Sequence, residues 1–424
     1  MRPHRRGPWI AALMQAASLA GAAHAAPSTP LEAGAEVAAK VAAIDAALLA
    51  LRGADLAVID YPVSGGPPSA LVATRVAVAP AALAAVLGDA RAYREAIPAL
   101  VRAEVIQRRR PPGATDDEQL LEWELEIPLF NLKGKAWIRP RPGGVDLTLV
   151  EGDLAPGKLA FTWAPANPGT ILMLESQANV RAAGWLFRRV ASRSPFGAAA
   201  MNVTAAYVVL RAAAERALHP GDGRGRRPQA APSAPAPSAL ITDAPALTDS
   251  PTLAPFRRGG AIAAVRRSDS GRLASVAVTA AVATPAPALL HWLASPATWS
   301  TFPGWKKVKP LAGDRIAIED NLPFVDFETT WQLRRDRAGG FTALAAEGAI
   351  RGALFAWDVR AAPEDARHSV AVLSLYPRLE ASGYIPRKFI AAEPLLEHGM
   401  ALALAYVDAM AMASRVDTAP NPGK

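Results

Sequence analysis

The sequence predicts an α+β protein built twice, with a curved antiparallel sheet wrapped around a long C-terminal helix in each half. Three observations predict it. Matching landmarks recur in the same order about 195 residues apart. Stretches of period-two alternation are separated by glycine turns. Each half then ends in a long, apolar, proline-started helix.

The landmarks set the internal repeat. Gly143-Gly144 matches Gly339-Gly340, and Glu151-Gly152 matches Glu347-Gly348, both 196 residues on. Trp137 matches Trp331, and Phe161-x-Trp163 matches Phe355-x-Trp357, both at 194. Pro195, Met201 and Tyr207 match Pro394, Met400 and Tyr406, all at 199. Small loop insertions account for the drift.

The elements follow in chain order. Residues 1–25 read as an export signal, with Arg2, Arg5 and Arg6 before a short apolar run and Ala23-His24-Ala25 as a small-x-small cleavage site. An uncleaved anchor is the alternative. Residues 30–53 read as a helix with Thr29 as cap, Pro30 in its first turn and Glu32 completing a capping box. Its stripe is Val37, Val41, Ile44, Leu48 and Leu51, and Gly53 ends it. The first repeated unit is placed at 30–218 and the second at 258–416, with 219–257 between them as a Pro/Ala-rich flexible linker and 417–424 as a disordered tail.

Each unit opens with two strands, 55–61 and 70–79 in the first and 261–266 and 273–283 in the second, followed by a short helical pair. Strands with tight turns come next. In LEWELEI, Glu122, Glu124 and Glu126 alternate with apolar residues and are assigned to a solvated outer face. In DFETTWQL, Phe327, Thr329, Trp331 and Leu333 share one face. The terminal helices run from Ser194-Pro195 to about Leu218 and from Pro394 to about Arg415.

These elements resemble the START and polyketide-cyclase-like (SRPBCC) superfamily with its helix-grip fold. The residues that carry the resemblance are VAVAPAALAAVLGDARAYREAIP and VTAAVATPAPALLHWLASPATWSTFPGW, where a strand runs into a proline-started helix. The helices SPFGAAAMNVTAAYVVLRAAAERAL and EPLLEHGMALALAYVDAMAMAS complete it. The resemblance covers nearly all of 32–218 and 258–416. It implies a cavity between sheet and helix that holds lipids, sterols, polyketides or similar molecules, without fixing the ligand.

Composition narrows the chemistry. Of 424 residues, 51% are apolar and 20% charged, which is a globular balance. Loss of the signal removes three arginines and no acid, lowering the formal charge from +8 to +5, so nucleic acid is not a required partner. There is no cysteine, hence no disulfide and no thiol chemistry. After the signal only His219, His291, His368 and His398 remain, at no metal-binding spacing, and neither a metal nor a cofactor is expected. No nucleophile elbow, Walker loop or dinucleotide loop occurs.

The cavity candidates are Trp137, Phe161, Trp163, Met201, Tyr207, Phe327, Trp331, Phe355, Trp357, Met400 and Tyr406, which either line a pocket or fill the core. A basic and aromatic cluster before each terminal helix (Trp185, Arg188 and Arg189; Tyr384, Arg387 and Lys388) is the candidate for a membrane surface or an anionic head group. The resulting expectation is a periplasmic or secreted carrier of a hydrophobic small molecule, in transient contact with membranes. A cyclase or dehydratase using Tyr406 or His398, and a non-binding structural module, are the alternatives.

Overall fold

The computed structural model describes residues 30–60, 69–97, 99–110, 117–127, 130–184, 188, 194–220, 242–257, 260–299, 305–322, 325–337, 339–363, 365–378, 390 and 395–416. The chain forms two compact units, the first ending at Ala43 and the second running from Ile44. Of the first, residues 30–43 are described and are helical. Apart from the helix that begins there, everything that follows concerns the second.

Its strands form a single sixteen-stranded sheet. In the first half, β1 (Asp55–Ile59) and β2 (Ala70–Val76) precede α2 (Pro80–Leu87), a 3-10 turn (Ala90–Ala92) and α3 (Tyr93–Ala96). Then come β3 (Leu100–Arg109), β4 (Glu118–Ile127), β5 (Phe130–Arg141), β6 (Gly144–Gly152), β7 (Gly157–Pro165), β8 (Thr170–Gln177) and α4 (Gly197–Leu218). The second half repeats this series after α5 (Ala244–Asp249) and α6 (Ala254–Arg257). It comprises β9 (Ala261–Arg267), β10 (Leu273–Val282), α7 (Ala286–Leu293), α8 (Pro296–Trp299), β11 (Trp305–Pro310), β12 (Arg315–Leu322), β13 (Val325–Arg337), β14 (Gly340–Gly348), β15 (Leu354–Ala362), β16 (Asp365–Tyr376) and α9 (Leu395–Val416). The helix before β1, Pro30–Ala50, is α1.

The sheet order makes the duplication explicit. Outward from the centre, one half reads β1-β2-β8-β7-β6-β5-β4-β3 and the other β9-β10-β16-β15-β14-β13-β12-β11. The halves join edge to edge through β1 and β9, which pair antiparallel. Ala57 pairs with Ala263, its own counterpart, as residues beside a two-fold axis do. This junction hides an edge that each sheet would otherwise expose.

The strands at the junction are buried on both faces. All five residues of β1 and nearly all of β2, β9 and β10 are buried, which is why they read as unbroken apolar runs rather than alternating ones. On the concave side lie α4 and α9, packed on each other and on the central strands. Gly399 permits their approach, because a Cβ there would stand 2.7 Å from Thr204 Cγ2. Both helices are long and apolar enough to cross a membrane, yet both serve as core helices with 78% and 56% of their apolar windows buried.

The convex side is covered in part by α5, packed on β9, β10, β15 and β16. Residues 242–257 are therefore folded and not a flexible linker. Ala244, Leu247, Leu253 and Phe256 are buried, and Asp243 pairs with Arg266. The apolar side chains of α5 and α6 find a sheet face to cover, which composition alone did not reveal. Residues 221–241 and 417–424 lie outside the described residues, as do 1–29. In α1, Ile44, Leu48 and Leu51 are buried as the stripe requires, while Val37 is 40% exposed. The helix α4 starts at Gly197, two residues after the expected Pro195, and Ser194 Oγ instead accepts a hydrogen bond from Phe196 N.

Hydrogen-bond register corrects two of the sequence matches. Ala136 lies opposite Leu149, and Trp331 lies opposite Ala345. Leu149 and Ala345 are counterparts at the 196 offset of the glycine landmarks, so the counterpart of Trp331 is Ala136, not Trp137. Likewise Phe161 pairs with Val145 and Trp357 pairs with Phe341. Phe161 therefore corresponds to Trp357, two residues away from the F-x-W match.

Candidate functional site

The concave interiors of the two halves and the charged seam between them hold the residues able to do chemistry. Each half has a helical pair over the concave face, latched by one aromatic residue. Tyr93 OH donates to the Leu87 carbonyl at 2.7 Å, and Trp299 Nε1 donates to the Leu293 carbonyl, also at 2.7 Å. These carbonyls end α2 and α7, where the helix leaves acceptors unpaired. Burial and the nearby Asp89 push the Tyr93 hydroxyl far above the usual tyrosine value, so it remains a donor.

In the second half the interior is aromatic. Trp331 and Phe355 have ring centroids 4.7 Å apart, and Trp299 stands 5.6 Å from both Phe341 and Phe355. Trp357 is 1% exposed. On β13, Thr329 and Trp331 project on the same face. Among the described residues, the buried Thr329 Oγ1 and Trp331 Nε1 have no hydrogen-bond partner.

In the first half the large ring sits on the neighbouring strand. Trp123 of β4 lies against Gly134 of β5, where a Cβ would approach its Cζ2 to 2.8 Å. Its counterpart in the second half is Ile318, which pairs with Thr329. The first half thus combines Trp123, Gly134 and Ala136 where the second combines Ile318, Thr329 and Trp331. Trp123 Nε1 is also buried, with no partner among the described residues. Phe161 is buried here, and Trp163 is half-buried against the same core.

The seam carries the strongest electrostatics. Asp55, 2% exposed, accepts hydrogen bonds from Thr74 Oγ1 at 2.5 Å and Tyr207 OH at 2.8 Å. Arg211 Nη1 stands 3.8 Å from Asp55 and donates to Thr74 at 3.0 Å. Arg267, from the other half, reaches Asp55 at 3.4 Å and Glu215 at 3.4 Å, and Arg211 also pairs with Glu215. Burial by itself would raise the Asp55 carboxyl, but Arg211, Arg267, Thr74 and Tyr207 together hold it below the usual aspartate value. Burial and then Asp55 push Tyr207 well above the usual tyrosine value.

The other terminal helix has a simpler version. Tyr406 OH donates to Asp60 Oδ2 at 2.7 Å, and burial followed by Asp60 raises its hydroxyl far above the ordinary range. Asp55 and Asp60 both belong to the β1 segment, so one strand holds a carboxylate for each gripping helix. The residue of β9 equivalent to Asp55 is Ala261. His398 is fully buried between the helices, its ring 6.1 Å from that of Tyr207.

The structure sorts the residues singled out from sequence. Phe161, Tyr207, Trp331, Phe355, Trp357 and Tyr406 are buried in the concave core, with Trp163 at its margin. Met201 is half-buried against Ala178, Val180 and Ala198, and Met400 is half-buried on α9. Trp137 is misplaced: it alternates with the buried Ala136 and Ile138, so it lies on the opposite face, with Arg109 Cζ 3.8 Å from its ring centroid. Phe327 lies on β13, and its side chain is outside the description. Of the basic and aromatic clusters only Arg188 is described, and it is exposed. Trp185, Arg189, Tyr384, Arg387 and Lys388 lie outside the described residues. Glu122 and Glu124 are half-buried and Glu126 exposed, all away from the core, and Glu122 pairs with Arg102. Sequence reading missed Trp123, Trp299 and the Asp55 cluster. A lone aspartate opening an apolar strand was the available signal for the last.

Both halves have a helix-grip fold, an antiparallel sheet packed against a long terminal helix. No family model matches the sequence, and no curated protein matches it. Among solved structures the chain is similar to the di-domain ARO/CYC StfQ from the steffimycin biosynthetic pathway, at 9% identity over 82% of this chain and 99% of that one, with a TM-score of 0.25. It is similar to the STAR-related lipid transfer protein from Xanthomonas axonopodis at 19% identity over 35% of this chain and 89% of that one, with a TM-score of 0.25. A START superfamily protein from Mycobacterium smegmatis is 17% identical over 26% of this chain and 76% of its own, with a TM-score of 0.23. At these values the likeness assigns no ligand and no activity.

Proposed function

We propose that this protein is an exported carrier of a hydrophobic small molecule, of lipid, sterol-like or polyketide-like character, held between sheet and gripping helices. The observation that carries the reading is the set of orphan donors inside the apolar interiors: Trp123 Nε1 in one half, Trp331 Nε1 and Thr329 Oγ1 in the other. A buried donor without an acceptor costs about 1–3 kcal/mol. A mainly apolar ligand bearing a carbonyl or hydroxyl would supply the acceptor, while its apolar surface contributes about 25 cal/mol per Å² buried. The basic start and apolar run at the N-terminus support export. Exposed Arg188 is compatible with transient contact at an anionic membrane surface.

A second reading, that the second half is a filled structural module, is favoured by the direct ring contacts among Trp299, Phe341, Phe355 and Trp331. The cyclase alternative gains no such support: the Tyr406 hydroxyl is engaged by Asp60 and His398 is enclosed between two helices. The test is native mass spectrometry of protein purified from its host, followed by titration with a panel of lipids. Co-purified apolar ligand, or saturable binding to a panel member, is expected. Protein that is repeatedly empty and binds nothing would sink the carrier reading.

A further inference from the structure

The first half has a groove of about 580 Å³ lined by Arg91, Ala103, Glu104, Val105 and Arg108. It lies between the 3-10 turn at Ala90–Ala92 and β3, the last strand of the sheet. Ala103 and Val105 are on the concave face of β3 and pack against the hydrophobic core, so the apolar floor of the groove is continuous with the interior. Glu104 is its one acid, and Arg102 pairs with it at 2.9 Å. Arg91 and Arg108 are exposed, and among the described residues neither guanidinium has an ion-pair partner. The other half differs at this place. Aligning the Tyr93 and Trp299 latches puts Ala297 where Arg91 stands, and strand register puts Val308 and Pro310 where Ala103 and Val105 stand.

We propose that this groove is a head-group site, in which Arg91 and Arg108 hold the anionic head of a single-chain amphiphile whose tail lies over Ala103 and Val105 toward the core. A guanidinium offers paired donors that match a carboxylate or phosphate in a fork geometry. The two free cations make the first half selective for charged amphiphiles, while in the second half Ala297 replaces Arg91 and the nearby Arg335 guanidinium is engaged by the Ala294 carbonyl. The inference deepens the carrier reading and rests on it.

The test uses the full chain with laurate and dodecanol, which share a chain length and differ in the charge of the head. Both are titrated below their aggregation concentrations, and binding is read from tryptophan fluorescence. Wild type should bind laurate about tenfold more tightly than dodecanol, the effect of two partly exposed charge-assisted contacts. The R91Q/R108Q pair should abolish that preference and leave dodecanol affinity unchanged. Both positions are exposed, so folding is not at risk, and circular dichroism checks it. Equal affinities in wild type, or a preference that survives R91Q/R108Q, overturns the head-group site while leaving the carrier reading intact. No binding of either probe overturns both.

Discussion

The two halves of the sheet solve the same packing problem with side chains from different strands. The first fills its interior with Trp123 on β4 over Gly134 and Ala136 on β5, while the second uses Trp331 on β13 beside Ile318 on β12. The seam is unequal too. Tyr207 is tied into a cluster of five charged and hydroxyl groups, of which Asp55, Thr74 and Arg211 are buried, and among the described residues the Tyr406 hydroxyl bonds only Asp60. A duplicated fold therefore fixes backbone and volume without fixing which residue supplies them, and the two interiors are free to differ in what they admit.

The sharpest way to break this comparison is at the seam. Asp55→Ala should destabilise the protein by about 3–5 kcal/mol, because it removes one of the two carboxylates facing the buried Arg211 and the acceptor of both Thr74 and Tyr207. Asp60→Ala should cost less, about 1–3 kcal/mol, since it leaves only the buried Tyr406 hydroxyl without its acceptor and strands no charge. The midpoints of urea denaturation compare the two. Equal shifts would mean the seam is electrostatically symmetric after all. The same cluster sets an acid limit. With its folded value lowered, Asp55 stabilises the fold fully above the ordinary aspartate value of about 4, and that stabilisation is lost as pH falls through the folded value. Asp55→Asn should flatten the stability profile in that acid range and leave its shape near neutrality unchanged.

The exchange of aromatic residues between strands offers a second, smaller effect. Ala136→Trp places a ring diagonal to Trp123 and should destabilise by about 1–3 kcal/mol through overpacking. In a Trp123→Ile background the first half acquires the second half's arrangement, and much of that cost should be relieved. A double-mutant cycle measures the coupling. Additive effects would show that the two interiors are not alternative packings of one space.

That exchange also explains which parts of the repeat could be read from sequence. Gly152 and Gly348 have φ of 101° and 103°, and a Cβ at either would meet backbone atoms of the neighbouring strand. Only glycine serves there, so the 196 offset marks true register. The aromatic matches at 194 were displaced because packing constrains volume rather than position, and several neighbouring strands can deliver the same ring. The same reasoning put Trp137 inside when its strand parity puts it outside. The carboxylates at 122–126 were assigned correctly, since alternation is a backbone property. The Asp55 cluster was hidden because its members come from β1, β2, α4 and β9, and no local spacing joins them. The folded segment 242–257 was hidden because its few apolar residues gain meaning only against a sheet face.

The smallest effect concerns the latches, where the halves keep a hydrogen bond while changing the ring that makes it. Tyr93→Phe preserves the ring and removes the donor to the Leu87 carbonyl, so the cost should be about 1 kcal/mol. Trp299→Phe removes the matching donor to Leu293 and in addition shrinks a side chain in contact with Phe341 and Phe355, so its cost should be clearly larger. The difference between the two shifts isolates what the second half's aromatic packing adds beyond the shared hydrogen bond. If the Tyr93 and Trp299 variants fall by the same amount, the rings around Trp299 contribute no net packing energy, and an interior that loose has room for a ligand. If Trp299→Phe falls much further, the second interior is filled by its own side chains, and ligand binding belongs to the first half.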